Sequence, residues 1–169
     1  MSPIQKKVCM AGSFGVGKTS LVRRYVESMF DERYHTTVGV KIDKKQVTVD
    51  GKAMTMVLWD LAGEDGVAVL RPSHLRGASG VILVADGCRA GTLDNAISLE
   101  QRITAEIGSL PFILALNKLD LAAEWEIHAA AVEPLVRSGW TCTRTSAKSG
   151  AGVDEMFLTL ARKMLGQDQ

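Results

Sequence analysis

The chain holds only three cysteines, Cys9, Cys88 and Cys142, an odd number spread over 169 residues. That count and spacing exclude a disulfide-framed scaffold, and the expectation is buried, reduced thiols in a reducing compartment. An excess of one charge is also missing: 20 basic residues face 19 acidic ones, and the formal net charge of +1 comes from interspersed signs. Without a basic field there is nothing to attract nucleic acid independently of its sequence, so nucleic acid is not an expected partner. No apolar run approaches the roughly 20 residues a bilayer span requires. Position 2 is Ser rather than the Gly that N-myristoylation needs, and residues 166–169 hold no prenylatable cysteine, so no direct lipid anchor is expected. His35, His74 and His128 have no carboxylate or cysteine spacing that would complete a zinc set. What is present is ordinary globular composition, 46% hydrophobic and 23% charged, at a length that suits one domain over 1–169.

Along the chain, apolar runs alternate with helical periodicities. Residues 6–11 read as a strand, and 20–29 as a helix with Leu21, Val22, Tyr25, Val26 and Met29 on one face. Residues 31–39 are polar and turn-rich. Residues 40–49 and 53–60 flank Asp50-Gly51, the strongest short hairpin signal, and so form two antiparallel strands. Gly63, Gly66, Pro72 and Gly77 break up residues 61–77, a candidate mobile segment. The continuous apolar runs GVILVAD at 80–86 and PFILALN at 111–117 mark strands covered on both faces. Helical spacing over 92–107, 125–137 and 153–165, with a last strand at 140–145, completes an α/β pattern: a mostly parallel sheet with helices on both faces.

Between the first strand and the first helix stands GSFGVGKT, residues 12–19, which fits G-x-x-x-x-G-K-[ST]. Its glycines let the backbone wrap an anion closely enough for several N–H groups to face phosphate oxygens. Lys18 brings a point charge for the β- and γ-phosphates and Thr19 a hydroxyl for Mg²⁺. The helix that starts there sets its positive dipole end under the site, so residues Ser13, Phe14, Gly15, Val16, Gly17, Lys18, Thr19 and Ser20 are candidate phosphate contacts. This loop alone leaves ATPases, nucleotide kinases and GTPases open.

Four further stretches narrow the choice. Trp59 to Gly63 reads WDLAG, placing Asp60 at a strand end to hold Mg²⁺ and Gly63 to present an N–H to the γ-phosphate. Asn117, Lys118, Leu119 and Asp120 follow a buried strand, at the carboxyl edge where open α/β sheets present ligand residues. A carboxylate at Asp120 accepts from both the ring N–H and the exocyclic amine of guanine, whereas adenine lacks that donor pair and leaves it unpaired. Thr145, Ser146, Ala147 and Lys148 add a backbone donor for the guanine carbonyl and an aliphatic stem against its ring. Thr37 offers a second hydroxyl for Mg²⁺.

On GSFGVGKT, TTVGV (36–40), WDLAGED (59–65), RGASG (76–80), NKLD and TSAK, the chain resembles the Ras superfamily of small GTPases, most closely its Rab-like branch, over 6–165. The resemblance implies a P-loop small G-domain with a six-stranded, mostly parallel sheet, one edge strand antiparallel. It also implies GTP or GDP with Mg²⁺ as ligands, and a monomer. Two switch segments, 31–40 and 61–76, would meet effector, exchange-factor and activating proteins. By the same resemblance Phe30 would lie against guanine and Tyr34 over the phosphates. The missing lipidated tail is similar to that of prokaryotic Rab-like GTPases. In such a switch the γ-phosphate orders the loops of Thr37 and Gly63, and hydrolysis releases them.

Two positions depart from that pattern. Glu64 stands where the family usually has a water-orienting glutamine, and an ionised carboxylate only accepts hydrogen bonds. At about 5 Å from the γ-phosphate, with an effective dielectric near 20, the added repulsion is on the order of 3 kcal/mol. Phe14 replaces a small residue of the phosphate loop and crowds the space through which an activating arginine would enter. Both imply slow hydrolysis with Lys18, Thr37, Gly63 and Glu64 as the catalytic set. The alternative is a GTP-binding interaction module with negligible intrinsic hydrolysis. Beyond the switches, Ile42, Trp59, Val67 and Leu75 are read as an apolar partner surface, with core packing the competing reading for Ile42 and Leu75, and Trp125 and Trp140 as packing residues.

Overall fold

A computed structural model describes residues 3–27, 40–61 and 71–166. Strand β1 (Ile4–Gly12) leads through the phosphate loop into helix α1 (Lys18–Glu27). Strands β2 (Val40–Val49) and β3 (Lys52–Leu61) form a hairpin. Asp50 and Gly51 at its tip both have positive φ, 51° and 81°, the combination that lets a two-residue turn match the strand twist. A single helical turn α2 (Pro72–Leu75) precedes β4 (Ala78–Asp86), α3 (Gly91–Ile107), β5 (Phe112–Asn117), α4 (Ala129–Arg137), β6 (Cys142–Arg144) and α5 (Val153–Gly166).

The six strands lie in the order β2-β3-β1-β4-β5-β6. Edge strand β2 runs antiparallel to β3, and every other pairing is parallel. The period-2 alternation of strand side chains divides the core in two. Val8 and Met10 of β1, Ile82 and Val84 of β4, and Ile113 and Ala115 of β5 face α1 and α5, where Tyr25 stacks on Phe157 with ring centroids 3.9 Å apart. Cys9, Ala11, Leu83, Ala85, Leu114 and Leu116 turn to the other face, against Leu93, Ala96, Leu99 and Ile103 of α3. This packing brings the carboxyl ends of β1, β3, β4 and β5 to one edge, where loops carry ligand residues in a doubly wound sheet.

Several expectations are corrected here. The helix expected over 125–137 starts only at Ala129. Before it a 3-10 turn (Leu119–Glu124) is followed by an extended stretch whose donors are spent elsewhere: the N–H groups of Glu126 and Ile127 both reach Gly87 O, at 2.8 and 3.0 Å. The last strand is shorter than 140–145, because Trp140 turns back so that its N–H bonds Leu135 O, and its ring meets Phe112 edge-on at 4.9 Å. Leu75 is fully buried core, whereas Ile42, on the edge strand directly opposite Trp59, is 49% exposed. Of the thiols only Cys9 is buried, and Cys88 and Cys142 are half-buried; all three are free.

Candidate functional site

The phosphate loop rests on backbone conformations that side chains resist. Gly15 and Gly17 have φ of 76° and 101°, and a Cβ on Gly17 would come within 2.3 Å of Asn117 Nδ2. Gly12 passes so close to β4 that a Cβ there would lie 2.5 Å from Val84 O. The loop therefore packs backbone-first against its supports. Lys18 is 6% exposed, and its Nζ donates to Gly12 O at 2.9 Å and Ser13 O at 3.1 Å. Burial pulls its pKa down to about 8, against the upward pull of Asp60 and helped by the nearby charge of Arg89. The hydroxyl of Thr19 donates to Oδ2 of Asp60 at 2.5 Å, joining the start of α1 to the end of β3 at a fully buried carboxylate. Val16 is buried; Ser13, Phe14 and Ser20 are half-buried.

On the neighbouring strand ends, Asn117 bonds both ways. Its Nδ2 donates to Val16 O at 2.9 Å and its Oδ1 accepts from Thr145 Oγ1 at 3.1 Å, so one amide ties the phosphate loop to the segment after β6. Lys118 takes the left-handed conformation, φ 76°, and its carbonyl accepts from Trp125 Nε1 at 2.8 Å. Asp120 is exposed, and its Oδ1 accepts from buried Ser146 Oγ at 2.7 Å. Ser146 Oγ in turn accepts from Ser149 N–H at 3.0 Å. Ala147 is buried and Lys148 exposed. The structure thus gathers Lys18, Thr19, Asp60, Asn117, Lys118, Asp120, Ser146, Ala147 and Lys148 along one edge. Phe30, Tyr34, Thr37, Gly63 and Glu64 lie outside the described residues.

Three supports carry no motif. Arg24, on α1, donates through Nε to Ala147 O at 2.7 Å and through Nη2 to Lys148 O, fixing the segment after β6 from across the core. Asn95 of α3 donates to Ser13 Oγ. Asp86, at the end of β4 and paired in register with Asn117, accepts from Lys118 Nζ at 2.8 Å, Arg89 Nε at 3.0 Å and Cys88 N–H at 2.8 Å. Burial alone would push its carboxyl up, but the hydrogen bonds from Lys118, Cys88 and Arg89, with the Lys118 charge, outweigh that and hold it below the ordinary carboxylate value. Its contribution to stability is complete above the unfolded carboxyl's pKa and is lost as pH falls through the lower folded one.

A glycine-lined loop between a parallel strand and a helix, with a hydroxyl–carboxylate pair at its mouth and an exposed, preset carboxylate nearby, defines a phosphate-loop nucleotide-binding domain. The chain matches the Ras family over residues 7–166. It is 36% identical over 172 aligned residues to the Ypt/Rab-type GTPase YPT7 of Saccharomyces cerevisiae, covering 96% of this chain and 83% of that protein. It is 33% identical over 164 residues to the Ras-related protein Rab-13 of Bos taurus (94% and 79% covered), and 32% over 167 residues to the GTP-binding protein yptV2 of Volvox carteri (95% and 76%). The chain belongs to the Ras family, as a Rab-like small GTPase: a molecular switch that binds GTP and GDP with Mg²⁺ and hydrolyses GTP. No described helix is long and apolar enough to cross a membrane.

Proposed function

We propose that one domain spanning the chain divides this activity as follows. Residues Ser13 to Ser20 cradle the phosphates, with Lys18 as their point charge. Lys118, Asp120, Ser146, Ala147 and Lys148 hold guanine, Asn117 joins the two halves, and Phe30 and Tyr34 cover base and phosphates. The observation that carries this division is the exposed carboxylate of Asp120, set by Ser146, on loops that Asn117 ties to the phosphate loop. Thr19 and Asp60, joined by Thr37, would hold Mg²⁺. The donor set fits, because this ion takes hard oxygen ligands and needs few of them from protein, and the Thr19–Asp60 hydrogen bond already sets two such groups together. When bound it neutralises charge on the β- and γ-phosphates. Extraction and identification of the co-purified nucleotide tests the reading; adenine nucleotide instead of guanine nucleotide would overturn it.

Two expectations follow. First, intrinsic hydrolysis is slow, on the order of 10⁻⁴ s⁻¹ or below, because Glu64 repels the γ-phosphate and Phe14 crowds the loop. Single-turnover assays should show Glu64→Gln faster than the native chain, and Phe14→Gly more responsive to an arginine-donating activator. A fast native chain that slows on Glu64→Gln would be the opposite result. Glu64 also supports the second reading, a binding module with negligible hydrolysis, which predicts that bound GTP persists overnight. Second, nucleotide affinity falls as pH rises through about 8. A phosphate chain favours the ammonium of Lys18, whose pKa is about 8 without that help, so the complex keeps a proton that the free protein loses above that pH. Calorimetry in buffers of different ionisation enthalpy should report proton uptake on GDP binding near pH 8.5, and none near pH 6.5; equal values at both would count against it.

Effectors, exchange factors and activators are assigned to 31–40 and 61–76. Among the described residues, exposed Ile42 lies opposite Trp59, which is half-buried with Lys7 Nζ 3.6 Å from its ring centroid. The apolar partner surface therefore runs over Ile42 and Trp59 and excludes Leu75; Val67 lies outside the described residues. Three free thiols support a reducing, cytoplasmic location.

A further inference from the structure

Two carbonyls of the phosphate loop are held by side chains from the β4 and β5 ends of the sheet. Asn117 Nδ2 donates to Val16 O at 2.9 Å, and Arg89 Nη2 donates to Phe14 O at 2.8 Å. None of the described peptides is cis. In a trans peptide the C=O of one residue and the N–H of the next point in opposite directions across a rigid plane. Fixing Phe14 O on the Arg89 side therefore aims the Gly15 N–H away from Arg89, as Asn117 does for the Gly17 N–H. A hydrogen bond to the carbonyl also polarises the amide and strengthens its N–H as a donor.

Arg89 is not left to find this position by itself. Its Nε is bound to Asp86 Oδ2 at 3.0 Å, and the Asp86 side chain, only 2% exposed, is locked by Lys118 Nζ at 2.8 Å and Cys88 N–H at 2.8 Å. The guanidinium thus spans a buried carboxylate and a loop carbonyl with two donors of one rigid plane, which an ammonium cannot reproduce. Asn95, from the helix that follows, holds the adjacent Ser13 side chain, so the β4–α3 segment grips two successive loop residues.

We propose that Arg89 is a positioning residue for the phosphates of the bound guanine nucleotide: braced by Asp86, it fixes the Phe14–Gly15 peptide so that the Gly15 N–H faces the β–γ end of the phosphate chain. The proposal rests on the reading that this loop holds the phosphates of GTP. It also links the base side to the phosphate side through a chain of contacts, Lys118 to Asp86 to Arg89 to Phe14, whose middle members, Asp86 and Arg89, belong to no motif.

The test compares the full chain with Arg89→Ala and Arg89→Lys. Affinities for GDP and for a non-hydrolysable GTP analogue are measured by displacement of a fluorescent nucleotide, and the bound analogue is observed by ³¹P NMR. Asp86 keeps Lys118 and the Cys88 N–H in both variants, so melting temperatures should stay close to the native value. Analogue affinity should fall about tenfold, the loss of roughly one well-oriented hydrogen bond, while GDP affinity falls less than threefold. The β-phosphate resonance should move in both variants. An unchanged affinity ratio with an unmoved β-phosphate resonance would overturn the proposal, as would equal losses for both nucleotides accompanied by a lower melting temperature. Full rescue by Arg89→Lys would overturn it too, because charge alone would then suffice. Native protein that binds no guanine nucleotide would overturn the site reading itself, whereas a binding native chain with unaltered variants defeats only the role of Arg89.

Discussion

Asp120→Asn is expected to lower GTP affinity by about 10³-fold and to raise affinity for xanthosine triphosphate. The Watson–Crick edge of guanine offers two donors, a ring N–H and an exocyclic amine, and a carboxylate accepts from both. An amide keeps one acceptor and turns the other into a donor, which meets the amine donor to donor. Two hydrogen bonds to a charged acceptor at roughly 1.5–3 kcal/mol each bracket the loss. Xanthine carries a carbonyl in place of the amine, so the same amide finds one acceptor and one donor in register. Asp120 is exposed, and Ser146 Oγ presets its Oδ1 at 2.7 Å, a contact an asparagine oxygen also accepts, so the fold should not suffer. Competition by GTP, xanthosine triphosphate and ATP against a fluorescent nucleotide checks this, with melting temperature as the control. GTP affinity within threefold of native would show that Asp120 does not read the base.

The parts of the site legible in the sequence are those whose chemistry is local. The phosphate loop needs glycines at fixed offsets, and Gly17, the second of them, does have a positive φ of 101°. Asp50-Gly51 gives the hairpin because both turn residues need positive φ, and GVILVAD and PFILALN are apolar up to their last residue because β4 and β5 are covered on both faces. What escaped is whatever depends on partners distant in the chain. Arg24 reaches a carbonyl 123 residues away and Arg89 one 75 residues away. Neither arginine belongs to a motif, so nothing local in the sequence marks its role. Asp86 reads as the end of an apolar run, and only its register with Asn117 places it between Lys118 and Arg89. Residues 125–128 carry helical spacing, but Gly87 O captures the N–H groups of Glu126 and Ile127, and the helix begins later. Ile42 and Leu75 are equally apolar in sequence. Their fates separate because β2 is an edge strand with one flank open, whereas Leu75 inserts into the cluster shared by β1, β4 and α3.

Gly17→Ala is expected to cost on the order of 3 kcal/mol or more in stability and at least about 100-fold in nucleotide affinity. Two separable effects add. Backbone at φ 101° is strained for any residue with a Cβ, by about 1–3 kcal/mol. The new Cβ would also lie 2.3 Å from Asn117 Nδ2. Asn117 cannot yield cheaply: its Nδ2 holds Val16 O and its Oδ1 accepts from Thr145, both in buried surroundings, so moving it leaves polar groups without partners. Gly51→Ala separates the two contributions, because Gly51 also has positive φ, 81°, but nothing within 4 Å of a Cβ. That variant should lose only the backbone part and bind nucleotide normally. Denaturant unfolding of both variants, with and without GDP, measures the difference: Gly17→Ala should also forfeit the stabilisation that saturating ligand gives the native chain. Equal destabilisation by the two substitutions would mean that the loop relaxes away from Asn117, and that the close approach of Gly17 is not what holds the cradle in shape.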